Sequence, residues 1–307
     1  MILTECPYTT TMLRRDRTIV EVLGSNMSIS LRTLTPADID EADTILMPAY
    51  GVPRSRKREL ALYLSLQPDG WRLALDDGRP IGMGGATDFG TFAYIGLMAV
   101  HPDAQRRGIA TLILEDLLGW LKGRDCSTAL LDASAAGAPL YVKYGFVDDD
   151  KVVQFQQDDC ALRPRLSDRV VPLRAEELDE LVAYDTPIFG ANRIALFAAM
   201  LAEAPRRAFL SRDANGLIDG YLFAQPSVIG PWAARDAATA EALLGAVLEL
   251  SFEENPRVLV PGANTEATGL LLRYGFSPQR SLRHMRLGDA VPRRRELIYG
   301  QASFGLG

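Results

Sequence analysis

The chain has 307 residues, 48% hydrophobic and 23% charged, with a net charge of −6. Those are the proportions of a soluble globular protein long enough for two domains, and the acidic balance argues against nucleic acid or an anionic membrane as the main partner. No apolar run approaches the roughly 20 residues that cross a bilayer. Cys6, Cys126 and Cys160 lie far apart and, with only His101 and His284 beside them, make no metal-ligand spacing, so free thiols in a reducing cytoplasm and no metal are expected.

In chain order, residues 1–27 show no clear periodicity and are set aside as a leader, either a disordered arm or a mis-assigned start; Arg14, Arg15 and Arg17 follow its few apolar residues rather than precede them, unlike a signal peptide. A strand is predicted at 28–34, then helices at 36–49, opened by Thr35-Pro36, and at 55–66. Strands follow at 71–76, 80–88 and 92–100, with Asp76-Asp77-Gly78 as the first hairpin turn. A helix at 108–122 places Ile109, Leu112, Ile113, Leu117, Trp120 and Leu121 on one face at spacings of three and four. A strand at 127–133, a short helix at 137–144 and a strand from Phe146 complete this half. The plan then recurs: strand 169–174, helices 175–184 and 191–203, strands 207–212, 217–225 and 227–233, helix 237–252, strand 257–261, helix 265–273 and strand 276–287. Leu140-Tyr-Val-Lys-Tyr-Gly145-Phe146 and Leu270-Leu-Leu-Arg-Tyr-Gly275-Phe276 mark the repeat most clearly, each a short helix closed by glycine before a strand. Two α/β domains are expected, 28–160 and 168–307, divided near 158–168.

Chemistry is concentrated at Val100-His-Pro-Asp-Ala-Gln105-Arg106-Arg107-Gly108-Ile109-Ala110, which joins a strand to an amphipathic helix. The first N–H groups of a helix lack intrahelical partners and lie at the positive end of its dipole, so a turn that bares them can hold a diphosphate. Gly108 lets the main chain approach closely, and Ala110 keeps the next contact small. Gly82-Met-Gly84-Gly85 lacks the spacing of a dinucleotide-binding turn and reads as close strand packing.

At these residues the chain resembles the GNAT acyltransferase superfamily: Gln105, Gly108 and Ala110 match its Gln/Arg-x-x-Gly-x-Gly/Ala signature after a strand ending Ala99-Val100-His101-Pro102. The two halves together resemble tandem GNAT proteins with an active first domain and a divergent second. The fold implied is α/β: two tandem GNAT-like domains, each a mixed, mostly antiparallel sheet flanked by helices. Acetyl-CoA is the implied acyl donor and an amine the acceptor. The resemblance implies that main-chain groups of Met98, Ala99 and Val100 pair with pantetheine as if it were an added strand, and that Gln105, Arg106, Arg107, Gly108, Ile109, Ala110 and Thr111 surround the diphosphate, with the Arg106 and Arg107 side chains either ligands or solvated charges. Tyr141 takes the place of the superfamily's general acid, and Ser134 that of an asparagine which donates to a CoA carbonyl. The second half retains that asparagine as Asn264 but has Leu271 for the tyrosine, no glycine in Ala234–Ala242, and Glu241, expected to bring a carboxylate near the phosphates. Acyl-CoA binding is therefore expected in the first half only.

Asp132, Asp88 and His101 are candidate bases, each equally readable as a cap or turn residue. Tyr50, Arg54, Arg56, Lys57, Arg58 and Tyr63 stand where the acceptor enters in such folds, though a basic run is also a common solvated face. Asp185-Thr-Pro187-Ile-Phe-Gly190-Ala-Asn-Arg193 is expected as a turn in the acceptor pocket or at a domain interface. The function expected is an N-acetyltransferase acting by direct attack of a primary amine on the thioester. Its alternative is a non-catalytic acyl-CoA-binding regulatory or structural protein. Acceptor and oligomeric state are left open.

Overall fold

The computed structural model describes residues 9–14, 17–22, 29–51, 54–158, 164 and 166–307. They fall into two compact units: one reaches to Asp88 and takes in Ile95–Asp125, and the other comprises Phe89–Tyr94 and Cys126–Gly307. The compact units thus do not follow the sequence repeat, for a reason visible in the sheet of the second.

The first unit runs β1 (Thr9–Arg14), β2 (Arg17–Val22), β3 (Ile29–Thr33), α1 (Ile39–Tyr50), α2 (Lys57–Leu66), β4 (Trp71–Asp76), β5 (Arg79–Asp88), most of β6 (Ala93–Val100) and α3 (Ile109–Lys122). Its strands lie side by side in chain order. Two strands therefore fall within the leader, antiparallel to each other, with β2 continuing onto β3. Pro36–Asp38 forms a 3-10 turn before α1. The Asp38 carboxylate accepts from the Thr35 amide at 2.8 Å and from both Arg32 nitrogens at 2.7 Å, and Arg32 holds it well below the usual carboxylate range.

Helix α3 buries Ile109, Ile113, Leu114, Leu117 and Leu121. Leu112 and Trp120 lie at the margin of that face, and the Trp120 indole donates to Asp69 at 3.2 Å. The glycines of β5 let α3 and β6 approach: a Cβ at Gly82 would stand 2.8 Å from Ile109 Cγ2, and one at Gly84 would collide with Met98. Strand packing, not ligand binding, accounts for that glycine run.

The second unit contains β7 (Ala129–Ala133), α4 (Ala138–Lys143), β8 (Val147–Gln157), β9 (Val170–Pro172), α5 (Leu178–Phe189), α6 (Ile194–Glu203), β10 (Ala208–Arg212), β11 (Ile218–Ala224), β12 (Ile229–Ala234), α7 (Ala237–Leu248), β13 (Arg257–Pro261), α8 (Thr265–Arg273), β14 (Phe276–Leu287) and β15 (Ile298–Gly300). The first two residues of β6 also belong here, pairing in parallel as Ala93↔Ala129 and Tyr94↔Leu130.

Strands of the two repeats interleave. The order is β7-β14-β8-β13, so β14 of the second repeat lies between two strands of the first, and β13 borders β8. Hydrophobic periodicity says which face of a strand is buried but not which strand lies beside it, so this exchange was not legible in the sequence. The other sheet runs β15-β12-β11-β10-β9. Its first member had no counterpart among the expected elements.

The Asp185–Arg193 stretch is interior to this unit. Helix α5 extends through Pro187 to Phe189, and Gly190 closes it with φ of 94°. Arg193, its side chain 1% exposed, donates to both Asp185 oxygens at 2.7 and 2.9 Å and to Tyr221 Oη at 2.7 Å, with its guanidinium 3.9 Å from the Phe189 ring centroid. Tyr221 donates to Asp185 at 2.5 Å. These side chains saturate one another, while Phe189 and Ala191 of the same stretch pack with Phe92 and Leu130 of the first repeat and the Gly190 carbonyl accepts from Thr91 at 2.8 Å, so the stretch lies at an interface between the repeats, the second of its two expected places. Arg193→Leu should cost about 3–5 kcal/mol, since it strands a buried carboxylate, and the double replacement with Asp185→Leu should recover part of the loss. Urea denaturation of the two variants measures both.

Candidate functional site

The strand–turn–helix singled out by its sequence lies in the first unit. Leu97 has a φ of 51°, which breaks the regular run of β6 just before Met98. The Tyr50 hydroxyl donates to the Met98 carbonyl at 3.3 Å. After β6, Pro102–Ala104 makes a 3-10 turn, Arg106 adopts φ of 63°, and Gly108 adopts φ of 79° as N-cap of α3. Left-handed residues in such a turn bring successive amides to one side, forming an anion-accepting nest. As N-cap, Gly108 has no side chain with which to cap α3. A Cβ on Gly108 would meet nothing within 4 Å, so conformation rather than crowding demands glycine there.

The side chains around this turn divide. Gln105 turns back to donate to the Val100 carbonyl at 3.3 Å. Arg107 pairs with Asp76 at 2.8 Å in a half-buried contact that ties the turn to the end of β4, so its guanidinium serves the protein. Arg106 and Gly108 are exposed, Ile109 is buried, and Ala110 and Thr111 are half-buried at the first turn of the helix. The neighbouring basic run is likewise largely engaged: Arg56 pairs with Glu59 at 2.7 Å over the Tyr50 ring, its amide donates to Asp43 at 2.7 Å, and Lys57 pairs with Asp40 at 2.8 Å.

Ser134 and Tyr141 lie in the second unit. Ser134 Oγ accepts from the Gly137 amide at 3.2 Å, shaping the turn into α4. Tyr141 is 7% exposed, its ring set edge-on to Phe146 with centroids 5.7 Å apart. The three candidate bases separate clearly. Asp88 pairs with Arg124 at 2.9 Å, and His101 accepts from the Asp103 amide at 3.4 Å as a cap. Asp132 alone sits in a buried polar cluster, 2.8 Å from His284 and from the Tyr94 hydroxyl. His284, Arg293, Arg295 and Gln301 carried no signal in the sequence, because only the exchange of β14 and the folding of the segments after it bring them to the cluster around Asp132, which Tyr94 reaches from the neighbouring strand β6.

The second repeat shows what became of its own version of the site. The amides that open α7 are met from within, since Asp236 accepts from the Thr239 amide at 2.8 Å. Glu241, expected near the phosphates, lies a turn further on and instead accepts from Tyr274 and from Arg273. Alongside β12 runs β15, with Trp232↔Gly300 and Ala233↔Ile298 in register. Trp232 and Ala233 lie near the end of β12, the strand that precedes α7 as β6 precedes α3. Asn264 Nδ2 donates to the Ile298 carbonyl at 3.1 Å, and the Gln301 amide donates to the Leu259 carbonyl at 2.8 Å. An extended peptide thus occupies the strand edge of the second repeat.

Among the described residues no group of three or more His, Cys, Asp or Glu could hold a metal, and no helix is long and apolar enough to cross a membrane.

Two α/β repeats with this strand–turn–helix define an acyltransferase fold. The chain belongs to the GNAT acetyltransferase family: the model described as acetyltransferase (GNAT) family matches residues 39–146, and a second, described as acetyltransferase (GNAT) domain, matches residues 181–300. A putative acetyltransferase from Pyrococcus horikoshii is similar at 30% identity and a TM-score of 0.82, over 94% of this chain and 98% of that one. A GCN5-related N-acetyltransferase from Sphaerobacter thermophilus shares the fold at 16% identity and a TM-score of 0.64, over 85% of this chain and 95% of that one. Comparison with curated proteins gives no match.

Proposed function

We propose that the chain is an acetyl-CoA-dependent N-acetyltransferase of the cytoplasm whose first repeat alone binds the acyl donor and passes its acetyl group to a primary amine. The observation that carries this reading is the uncapped start of α3, entered through left-handed Arg106 and Gly108. Main-chain amides from Arg106 to Thr111 hold the diphosphate, while the Gln105 amide closes the preceding turn on the Pro102 carbonyl and the Arg107 side chain braces the turn through Asp76. Met98, Ala99 and Val100 pair with the pantetheine arm as with an added strand. The pairing of β15 with Trp232 and Ala233 supports this, because it is the same kind of addition at the corresponding edge. With that edge covered and α7 capped by Asp236, the second repeat has no place for a second donor.

The neutral amine nitrogen attacks the thioester carbonyl, the C–S bond breaks, the departing sulfur takes the proton of the Tyr141 hydroxyl, and the proton shed by the nitrogen, carried by solvent water, restores that hydroxyl; no covalent enzyme intermediate forms. Ser134, already accepting from Gly137, keeps its hydroxyl proton for the donor's amide carbonyl.

A panel of amines incubated with the protein and acetyl-CoA tests the assignment through release of free thiol and the mass of the product. Amine-dependent thiol release is expected. Tight acetyl-CoA binding with no transfer to any amine would instead identify a binding or regulatory protein.

A further inference from the structure

Within the first unit, the edge of β6 that a donor arm would follow is already engaged. The His101 amide donates to the Ile81 carbonyl at 2.8 Å, and a Cβ on Gly82 would stand 3.3 Å from the Ala99 carbonyl oxygen. Main-chain groups alternate sides along a strand, so His101 and Ala99 face β5 while Val100 and Met98 face the other way. On that side β6 has ladder partners only at Ala93 and Tyr94 among the described residues. The outward carbonyls of Val100 and Met98 are therefore the acceptors on which an added strand would pair.

Side chains of the same unit serve both of them. Gln105 Nε2 donates to the Val100 carbonyl and the Tyr50 hydroxyl to the Met98 carbonyl, each at 3.3 Å. Ordinary bonds run to about 2.9–3.0 Å from nitrogen and about 2.7–2.8 Å from a hydroxyl, so the Tyr50 bond is the longer of the two for its kind and the easier to exchange for a ladder bond. The two also differ in origin. Gln105 lies five positions from Val100 and belongs to the turn before α3. Tyr50 comes from 48 positions away and is the last residue of α1.

Tyr50 is built to let go. Gly51, with φ of 63°, ends the helix beside it, and a Cβ there would meet nothing within 4 Å. The Tyr50 ring has a second attachment, since the Arg56 guanidinium lies 5.1 Å from its centroid. Arg56 is itself held by Glu59 at 2.7 Å and, through its amide, by Asp43 at 2.7 Å. The ring thus keeps a seat when the hydroxyl loses its partner.

We propose that Tyr50 is a placeholder for the acyl donor: its hydroxyl serves the Met98 carbonyl until an amide N–H of the pantetheine arm takes that acceptor, and the exchange frees the end of α1 to turn at Gly51. Gln105 stays on Val100 as part of the turn. This rests on the acyltransferase reading above. It assigns Tyr50 to the donor, whereas its place in the sequence pointed to the acceptor.

Calorimetric titration of the native protein and Tyr50→Phe, with acetyl-CoA and with 3′-phospho-ADP, tests the exchange; the second ligand has the diphosphate of CoA but no arm. Tyr50→Phe keeps the ring beside Arg56 and removes the competing donor. It should bind acetyl-CoA about two- to tenfold more tightly, the difference one net intramolecular hydrogen bond makes, and 3′-phospho-ADP with unchanged affinity. Should Tyr50→Phe fail to fold, Tyr50→Leu carries the same comparison. Unchanged or weaker acetyl-CoA binding in the folded variant would overturn the inference and leave the acetyltransferase intact. An equal shift for both ligands would mark a structural role and overturn it as well. If the native protein binds neither ligand, the acyltransferase reading falls first and the inference falls with it.

Discussion

Gly108→Glu should weaken acyl-CoA binding at least about 100-fold in a calorimetric titration while the protein stays folded. Its added Cβ meets no atom within 4 Å, so the cost does not come from crowding. The φ of 79° is strained for any other residue, by about 1–2 kcal/mol, and the turn relaxes away from the shape that gathers its amides. The dominant effect is charge. A carboxylate some 5 Å from a phosphate repels it by about 3 kcal/mol at an effective dielectric constant near 20, which is about two decades in affinity. Gly108→Ala isolates the conformational share and should lose about five- to thirtyfold at most on the same arithmetic. An unchanged affinity in Gly108→Glu would place the diphosphate elsewhere.

Tyr141→Phe should lower kcat by about 10²- to 10⁴-fold and leave the affinity for acetyl-CoA unchanged, as removal of a general acid requires. The substitution is a clean one. Tyr141 is 7% exposed and packs edge-on against Phe146, and phenylalanine keeps that ring contact. A tyrosine present only for shape would let the variant turn over at close to the native rate. The kcat-against-affinity split therefore separates acid catalysis from packing, and thermal denaturation of the two proteins checks that the fold is shared. Restoration of rate with a donor whose thiol ionises readily, and so leaves without a proton, would strengthen the assignment.

Much of the architecture is legible from local chemistry. The limits of β4, β13, α8 and β14 coincide with those read from periodicity and from their flanking turn residues. Boundaries drift where the chain turns gradually, as at Pro36–Asp38, where a 3-10 turn delays α1. They also drift where a helix tolerates proline, as α5 does on its way to Phe189. The turn from Gln105 to Gly108 was legible because its chemistry is local: a glycine, a helix start and a strand end contiguous in sequence. Arg107 shows the limit of that reading, since only folding reveals its partner Asp76. Glu241 fails for a related reason: alignment across the repeat places its Cα, but its side chain answers to Tyr274. Least legible is the cluster around Asp132. Its members come from both repeats and from the segment after β15, and no spacing in the sequence announces that a lone histidine in a strand will face an aspartate some 150 positions earlier.

The interleaving of β14 between β7 and β8 bears on how this protein is made and how it can be divided. Neither half of the polypeptide holds a complete set of neighbours: without the second, β7 and β8 lose the partner that joins them, and without the first, β13 and β14 are left with bare edges. Open edges of that kind invite association with foreign chains. During synthesis the early strands must therefore wait, half-assembled, until the late ones leave the ribosome, and a gene split at the midpoint would yield fragments that depend on each other for solubility.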